Sequence, residues 1–224
     1  MLQAYFADRT PVARAFAAHL ADSGTTRGLI GPREVPRIWS RHVMNCAAVA
    51  PLLPSGALVA DIGSGAGLPG LVLAIARPDV QLVLVEPLLR RVSWLDEVVT
   101  DLALSNVEVR RARAEDLIGL DADVATARAV AALDRLVAWC LPLLRPGGVM
   151  LALKGRSAAA ELAESEAALP GLGAARWSSY EVGGDRLDEP TTVIEVHKSS
   201  AVSVAGAAKR QSSAGRGRRT GRSR

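Results

Sequence analysis

Apolar and polar positions change their spacing near residue 54. Before it, Leu2, Tyr5, Phe6, Val12, Phe16 and Leu20 recur every three or four residues, the period of one helix face, with Pro11 as an interruption. A second helix is predicted after Gly31 and Pro32, where Val35, Ile38, Trp39, Val43 and Cys46 form one stripe. Its other face carries Arg33, Arg37, Arg41 and Asn45, four residues apart each time. Such a face reads either as solvated or as a nucleic-acid contact.

From Pro54 onward, short β-rich runs alternate with helical ones. ALVADIG, VQLVLVEP, NVEVRRA, DADVATARAV and GGVMLALKG are separated by helical segments at 68 to 77, 88 to 103, 114 to 119 and 131 to 144. This alternation predicts a parallel sheet covered by helices on both faces. After a helical stretch at 157 to 169, RWSSYEV and TTVIEVHK form a final pair of strands around the polar loop GGDRLDEP. With no helix between them, the two are expected to be antiparallel. The expected organisation is a helical extension over 1–50, an α/β domain over 51–198 and a disordered basic tail over 199–224.

Composition narrows the class. The chain has 224 residues, 49% apolar and 22% charged, which suits one folded α/β domain with its own core. It has no apolar run long enough to cross a bilayer and no secretory signal at its start, so a cytoplasmic protein without a membrane partner is expected. Two cysteines, Cys46 and Cys140, make no disulfide framework, and three scattered histidines make no metal site. The net charge of +4 is unevenly placed. Residues 206 to 224 hold seven basic side chains and no acid, so the preceding body carries a net −3. The tail reads as a mobile polycation, compatible with work on RNA.

The strongest local signal is Asp61-Ile62-Gly63-Ser64-Gly65-Ala66-Gly67-Leu68-Pro69-Gly70, between a strand and a helix. Glycines there let the backbone turn tightly and approach a ligand beside a helix N-terminus. Glu86 ends the next strand, where a carboxylate can accept hydrogen bonds from both hydroxyls of a ribose. Gly65, Gly67 and Gly70 also satisfy the dinucleotide spacing. A pyrophosphate, however, would be repelled by Asp61, whereas the cationic end of S-adenosylmethionine would be attracted to it. A methyl donor is therefore expected over a dinucleotide.

These residues resemble the bacterial 16S ribosomal RNA guanine-N7 methyltransferases, the RsmG or GidB family. The likeness runs from about residue 28 to 197 and rests on IGPREVPRIWSRHVMNC, the stretch from VADIGSGAGLPG to EPLLRRVSWL, RARAE, ATARAVAALDRL and LALKG. It implies a Rossmann-like, seven-stranded S-adenosylmethionine-dependent methyltransferase fold with an N-terminal helical extension. By the same resemblance, Gly63 and Leu68 contact the donor, Gly65 and Gly67 shape its loop, and Glu86 binds the ribose. Ala114 and Glu115 reach the adenine, Arg128 stands beside the methyl-transfer site, and Lys154 lies near RNA phosphate. Arg37 and Arg41 are further RNA candidates. The expected partner is 16S rRNA or the small ribosomal subunit, met by a monomeric enzyme. One departure is Asn45-Cys46, where many members have Asp-Ser.

The chemistry is narrowed by what is missing. Exocyclic-amine methylation usually comes with Asn or Asp, two prolines and an aromatic at the end of the fourth strand, where this chain has Thr126-Ala127-Arg128. Methylation at pyrimidine carbon 5 needs a cysteine nucleophile, and both cysteines sit in apolar runs. Guanine N7 has an in-plane lone pair and no proton, so alignment suffices. His42 is expected to cap or pack. Trp39, Trp94, Trp139 and Trp177 are assigned to the core. Aromatic residues are 4% of the chain, which favours recognition of phosphates and RNA shape over stacking. A methyltransferase with another RNA or a small-molecule acceptor, or a non-catalytic assembly factor, stays open.

Overall fold

The change of period becomes a change of layer. The computed structural model describes residues 2–117, 119–128, 131–184, 187 and 190–200. Its N-terminal helices are α1 (Leu2–Phe6), α2 (Thr10–His19) and α3 (Met44–Ala47). Then come β1 (Leu58–Ile62), α4 (Gly70–Ala76), β2 (Gln81–Val85), α5 (Leu89–Asp101), β3 (Val107–Arg110), β4 (Ala122–Arg128), α6 (Leu133–Cys140), β5 (Leu144–Lys154), α7 (Ala158–Ser165), β6 (Ala174–Val182) and β7 (Thr191–Lys198).

The sheet has seven strands in the order β3-β2-β1-β4-β5-β7-β6. β1 to β5 are parallel, and β7 runs antiparallel to β5 and β6. β1 has β2 on one side and β4 on the other. The chain winds away in opposite directions from that point, which opens a crevice at the carboxyl ends of β1 and β4.

Residue parity along each strand divides the core. Val59, Leu82, Leu84, Val124, Leu151 and Leu153 join one buried cluster, while Ala60, Ile62, Val83, Val85, Ala125 and Ala127 join the other. Both faces are covered, so the strands read as continuous apolar runs. Phe6, Phe16 and Leu20 lie in the first cluster with α4 and α5 residues. Each such side chain contributes about 1.5–3 kcal/mol on burial. The N-terminal extension is thus part of the cover on one sheet face.

Several elements differ from expectation. The stretch after Gly31 is a 3-10 turn (Pro32–Arg37), then a π-helical turn (Ile38–Val43), then α3, because Pro36 has no amide hydrogen to continue an α-helical ladder. The segment expected to be helical from 114 keeps one turn, Ala114–Asp116. Of the tryptophans assigned to the core, Trp94 alone is fully buried, with Nε1 donating to Ser23 Oγ at 2.9 Å. Trp39, Trp139 and Trp177 are half-buried. An indole N–H needs a polar partner, and Trp177 finds Glu166 near the surface at 3.1 Å. Part of the GGDRLDEP loop and the tail from Ala201 lie outside the described residues. Among the described residues no helix is long and apolar enough to cross a membrane.

Candidate active site

The glycine loop is laid across the end of β2. Gly63 and Ser64 donate their amides to Val85 O at 2.9 and 3.2 Å, and Gly65 donates to Glu86 Oε2 at 3.1 Å. Gly67 adopts φ +73°, and a Cβ there would lie 2.4 Å from Leu71 Cδ1. At Gly70 a Cβ would meet Leu84 Cδ2 at 2.3 Å and Asp61 Oδ2 at 2.6 Å. The last glycine of the motif therefore serves the close approach of α4 to the sheet. Gly70→Ala should cost about 1–3 kcal/mol of folding stability by overpacking, measured by denaturant unfolding. A wild-type midpoint would contradict this.

Asp61 departs from expectation. It is fully buried and does not line the cleft described below. Oδ2 accepts the Gly70 amide at 3.0 Å and Oδ1 accepts the Thr126 hydroxyl at 3.3 Å. Gly70 opens α4, so the carboxylate satisfies an amide with no partner inside the helix and ties the loop to β4. Burial pushes its pKa up to about 6, against the pull of those hydrogen bonds.

In front of the loop lies a cleft of about 580 Å³. Gly63, Gly65, Leu68, Glu86, Ala114, Glu115 and Arg128 all line it, so the crossover topology gathers seven of the anticipated residues. Gly67 is not among the residues that line the cleft. Glu86 is buried, and its Oε1 accepts the Leu88 amide at 3.0 Å while Oε2 accepts from Gly65 and, at 3.5 Å, from Arg91. A carboxylate held this way keeps lone pairs for ligand hydroxyls. Ala114 and Glu115 begin a 3-10 turn, where backbone amides have no partner within the turn. Leu29, Ile30, Gly31, Glu34 and Trp139 also line the cleft, without any spacing signal in the sequence.

A second cleft, about 990 Å³, shares Arg128 and His42 with the first. Its lining includes Arg37, Arg41, Asn45, Lys154 and Arg156. Arg33, inside the 3-10 turn, does not join them, whereas Arg37, Arg41 and Asn45 stay together across the π-helical turn. Lys154 lines this cleft, but its Nζ donates to Ala131 O at 2.9 Å and to Glu161 Oε1 at 2.6 Å. A lysine closing a buried strand needs partners, and it has found them within the protein rather than keeping its charge for phosphate. At the departure from the family pattern, Asn45 Oδ1 is buried without a hydrogen-bond partner. Burial pushes the Cys46 thiol up to about 11 and that of Cys140 up as well, so neither supplies a thiolate. No group of three or more His, Cys, Asp or Glu among the described residues could hold a metal ion.

Arg128 Nη2 lies 2.9 Å from His42 Nδ1, and His42 Nε2 lies 2.9 Å from Glu34 Oε2. His42, expected to cap or pack, instead bridges Glu34 and Arg128. A contact between residues 86 positions apart leaves no local signal.

Residues 9–184 match the family model described as GidB, rRNA small subunit methyltransferase G. The chain belongs to the GidB family. It is 56% identical over 192 residues to a ribosomal RNA small subunit methyltransferase G of Pseudarthrobacter chlorophenolicus, covering 85% of this chain and 89% of that one. The Streptomyces avermitilis protein of the same name is 50% identical over 222 residues, covering 98% and 92%. Structural neighbours include a SAM-dependent O-methyltransferase of Thermotoga maritima (TM-score 0.55, 17% identity, 70% of this chain and 65% of that one). Another is the M. jannaschii TYW2 protein in complex with AdoMet (TM-score 0.53, 16% identity, 71% and 77%). The GidB chain thus has the S-adenosylmethionine-dependent methyltransferase fold and is an enzyme of that class. Its first cleft fits the donor: a buried, pre-oriented carboxylate faces a pocket with mainly apolar walls.

Proposed function

We propose that this protein transfers a methyl group from S-adenosylmethionine to N7 of one guanine in the 16S rRNA of the small ribosomal subunit. The observation that carries the reading is the pair of clefts meeting at Arg128. One presents a carboxylate to a nucleoside; the other presents Arg37, Arg41 and Arg156 to a polyanion. The names of the relatives support ribosomal RNA as the acceptor.

The donor supplies a methyl group on a cationic sulfur. Glu86 accepts from the ribose hydroxyls, the amides of Ala114 and Glu115 meet the adenine edge, and Gly63, Gly65 and Leu68 let the loop close against the nucleoside. Arg128 holds the reacting groups in register at the junction. Guanine N7 needs no base, which agrees with the absence of a thiolate and of a paired-proline motif at the end of β4. Arg37 and Arg41 are the stronger candidates for phosphate contacts: both are exposed, and the Glu34 carboxylate lies 3.8 Å from Arg41 Nε without burying it. Lys154 instead ties β5 to α7 and to the segment after β4.

N7-methylguanine carries a positive charge that labilises its base–sugar bond after reduction. Small-subunit particles from a strain lacking this gene, treated with enzyme and donor and then with borohydride and aniline, should be cut at one guanine. A methylated exocyclic amine or cytosine found by nucleoside mass spectrometry would refute the assignment.

A further inference from the structure

We propose that His42 is a positioning residue for Arg128: neutral and protonated on Nε2, it holds the guanidinium where the two clefts meet and is itself braced by Glu34. The inference rests on the reading of Arg128 as the arginine beside the methyl-transfer site.

Hydrogen-bond inventory fixes the tautomer. A guanidinium donates and never accepts, so His42 Nδ1, 2.9 Å from Arg128 Nη2, must present its lone pair. The ring proton is then on Nε2, 2.9 Å from the Glu34 carboxylate, which accepts it. The His42 side chain is 12% exposed and lines both clefts, so it is held by these two contacts at the place where donor and acceptor meet. A long arginine side chain has many rotamers, and this acceptor selects one of them.

The charged neighbours decide what acid does. Glu34 and Arg37 come from the turn before His42, Arg41 from its own turn, and Arg128 from β4; Asp61 and Cys46 lie close to Arg128. Burial first, and the Arg128 charge second, hold the imidazole below its ordinary 6.5, against the opposing pull of Glu34. Protonation would turn Nδ1 into a donor facing a donor. The contact is therefore intact above pH 6.5 and is lost as pH falls through the lowered value.

Two substitutions separate positioning from bulk. The carboxamide of His42→Asn falls near the Nδ1 position and can still accept from Arg128, but gives up Glu34. In His42→Gln it falls near Nε2 and does the reverse. Single-turnover transfer of labelled methyl from S-adenosylmethionine to small-subunit particles would be followed from pH 5 to 9, beside thermal melts. His42→Gln should lose about 10-fold to 100-fold in rate, the scale of a misplaced catalytic group, with donor affinity within about twofold. His42→Asn should keep the rate within about fivefold at pH 7.5 and lack the acid limb of the wild type. Rescue by Gln and not Asn, wild-type rates in both, or an unchanged acid limb in the Asn variant would each overturn the proposal. Should a variant fail to fold, nitrogen-15 shifts of the wild-type imidazole at pH 8 decide: the Nε2–H tautomer supports it, and Nδ1–H overturns it. Arg128→Ala tells the two levels apart. If it transfers methyl at the wild-type rate, the site reading fails and takes this inference with it. If it is inactive while both His42 variants behave as wild type, the site reading stands and the inference alone fails.

Discussion

Arg128→Ala should lower methyl transfer to the particle by about a hundredfold or more while the protein stays folded. Arg128 ends β4 at the switch in strand order and lines both clefts. Its guanidinium is half-buried and paired to His42. Truncation would leave that acceptor unpaired and merge the two clefts, so the reacting groups would lose their common reference. A displacement of about 1 Å at such a place costs on the order of a hundredfold in rate. The core residues of β4, Val124, Ala125 and Ala127, are untouched, so circular dichroism and the melting curve should stay close to wild type. Arg128→Lys should rescue little, because an ammonium lacks the planar fork. Wild-type transfer by a folded Arg128→Ala variant would remove Arg128 from the mechanism.

Glu86→Ala should weaken S-adenosylmethionine binding by about tenfold to a hundredfold, or roughly 1.4–2.8 kcal/mol. Two losses combine. The ribose hydroxyls lose a charged acceptor, and the amides of Gly65 and Leu88 lose the oxygens that orient the loop. Glu86→Gln, which keeps one acceptor oxygen, should fall between the two. Calorimetry with the donor alone measures both, without any RNA. Unchanged affinity in Glu86→Ala would displace the ribose from this end of the cleft.

The alternation of strand and helix was legible from Pro54 onward, because a parallel sheet covered on both faces forces apolar runs of fixed length. The glycine loop and Glu86 were legible for a related reason. A strand, a tight turn and the next strand end lie within about thirty residues, so their spacing constrains their geometry. Arg128 and the pair Ala114 and Glu115 came from resemblance and not from local physics. The helix expected after Pro32 failed where Pro36 interrupts the ladder, and Arg33 parted from Arg37, Arg41 and Asn45, which kept a common face.

By itself the sequence determined the α/β class, the glycine loop with Glu86 at the next strand end, and the missing cysteine and paired-proline chemistries, all of which depend on residues close together in the chain. Tertiary structure decided where each charge ends. Asp61 is turned inward to serve α4 and Thr126, and Lys154 is taken by Ala131 and Glu161. Trp139 forms a cleft wall, and His42 is carried to Arg128 across 86 residues. A buried polar group takes whichever partner packing brings within hydrogen-bond reach, and that partner is set by how strands, helices and the N-terminal extension pack together in three dimensions, which no spacing along the chain encodes.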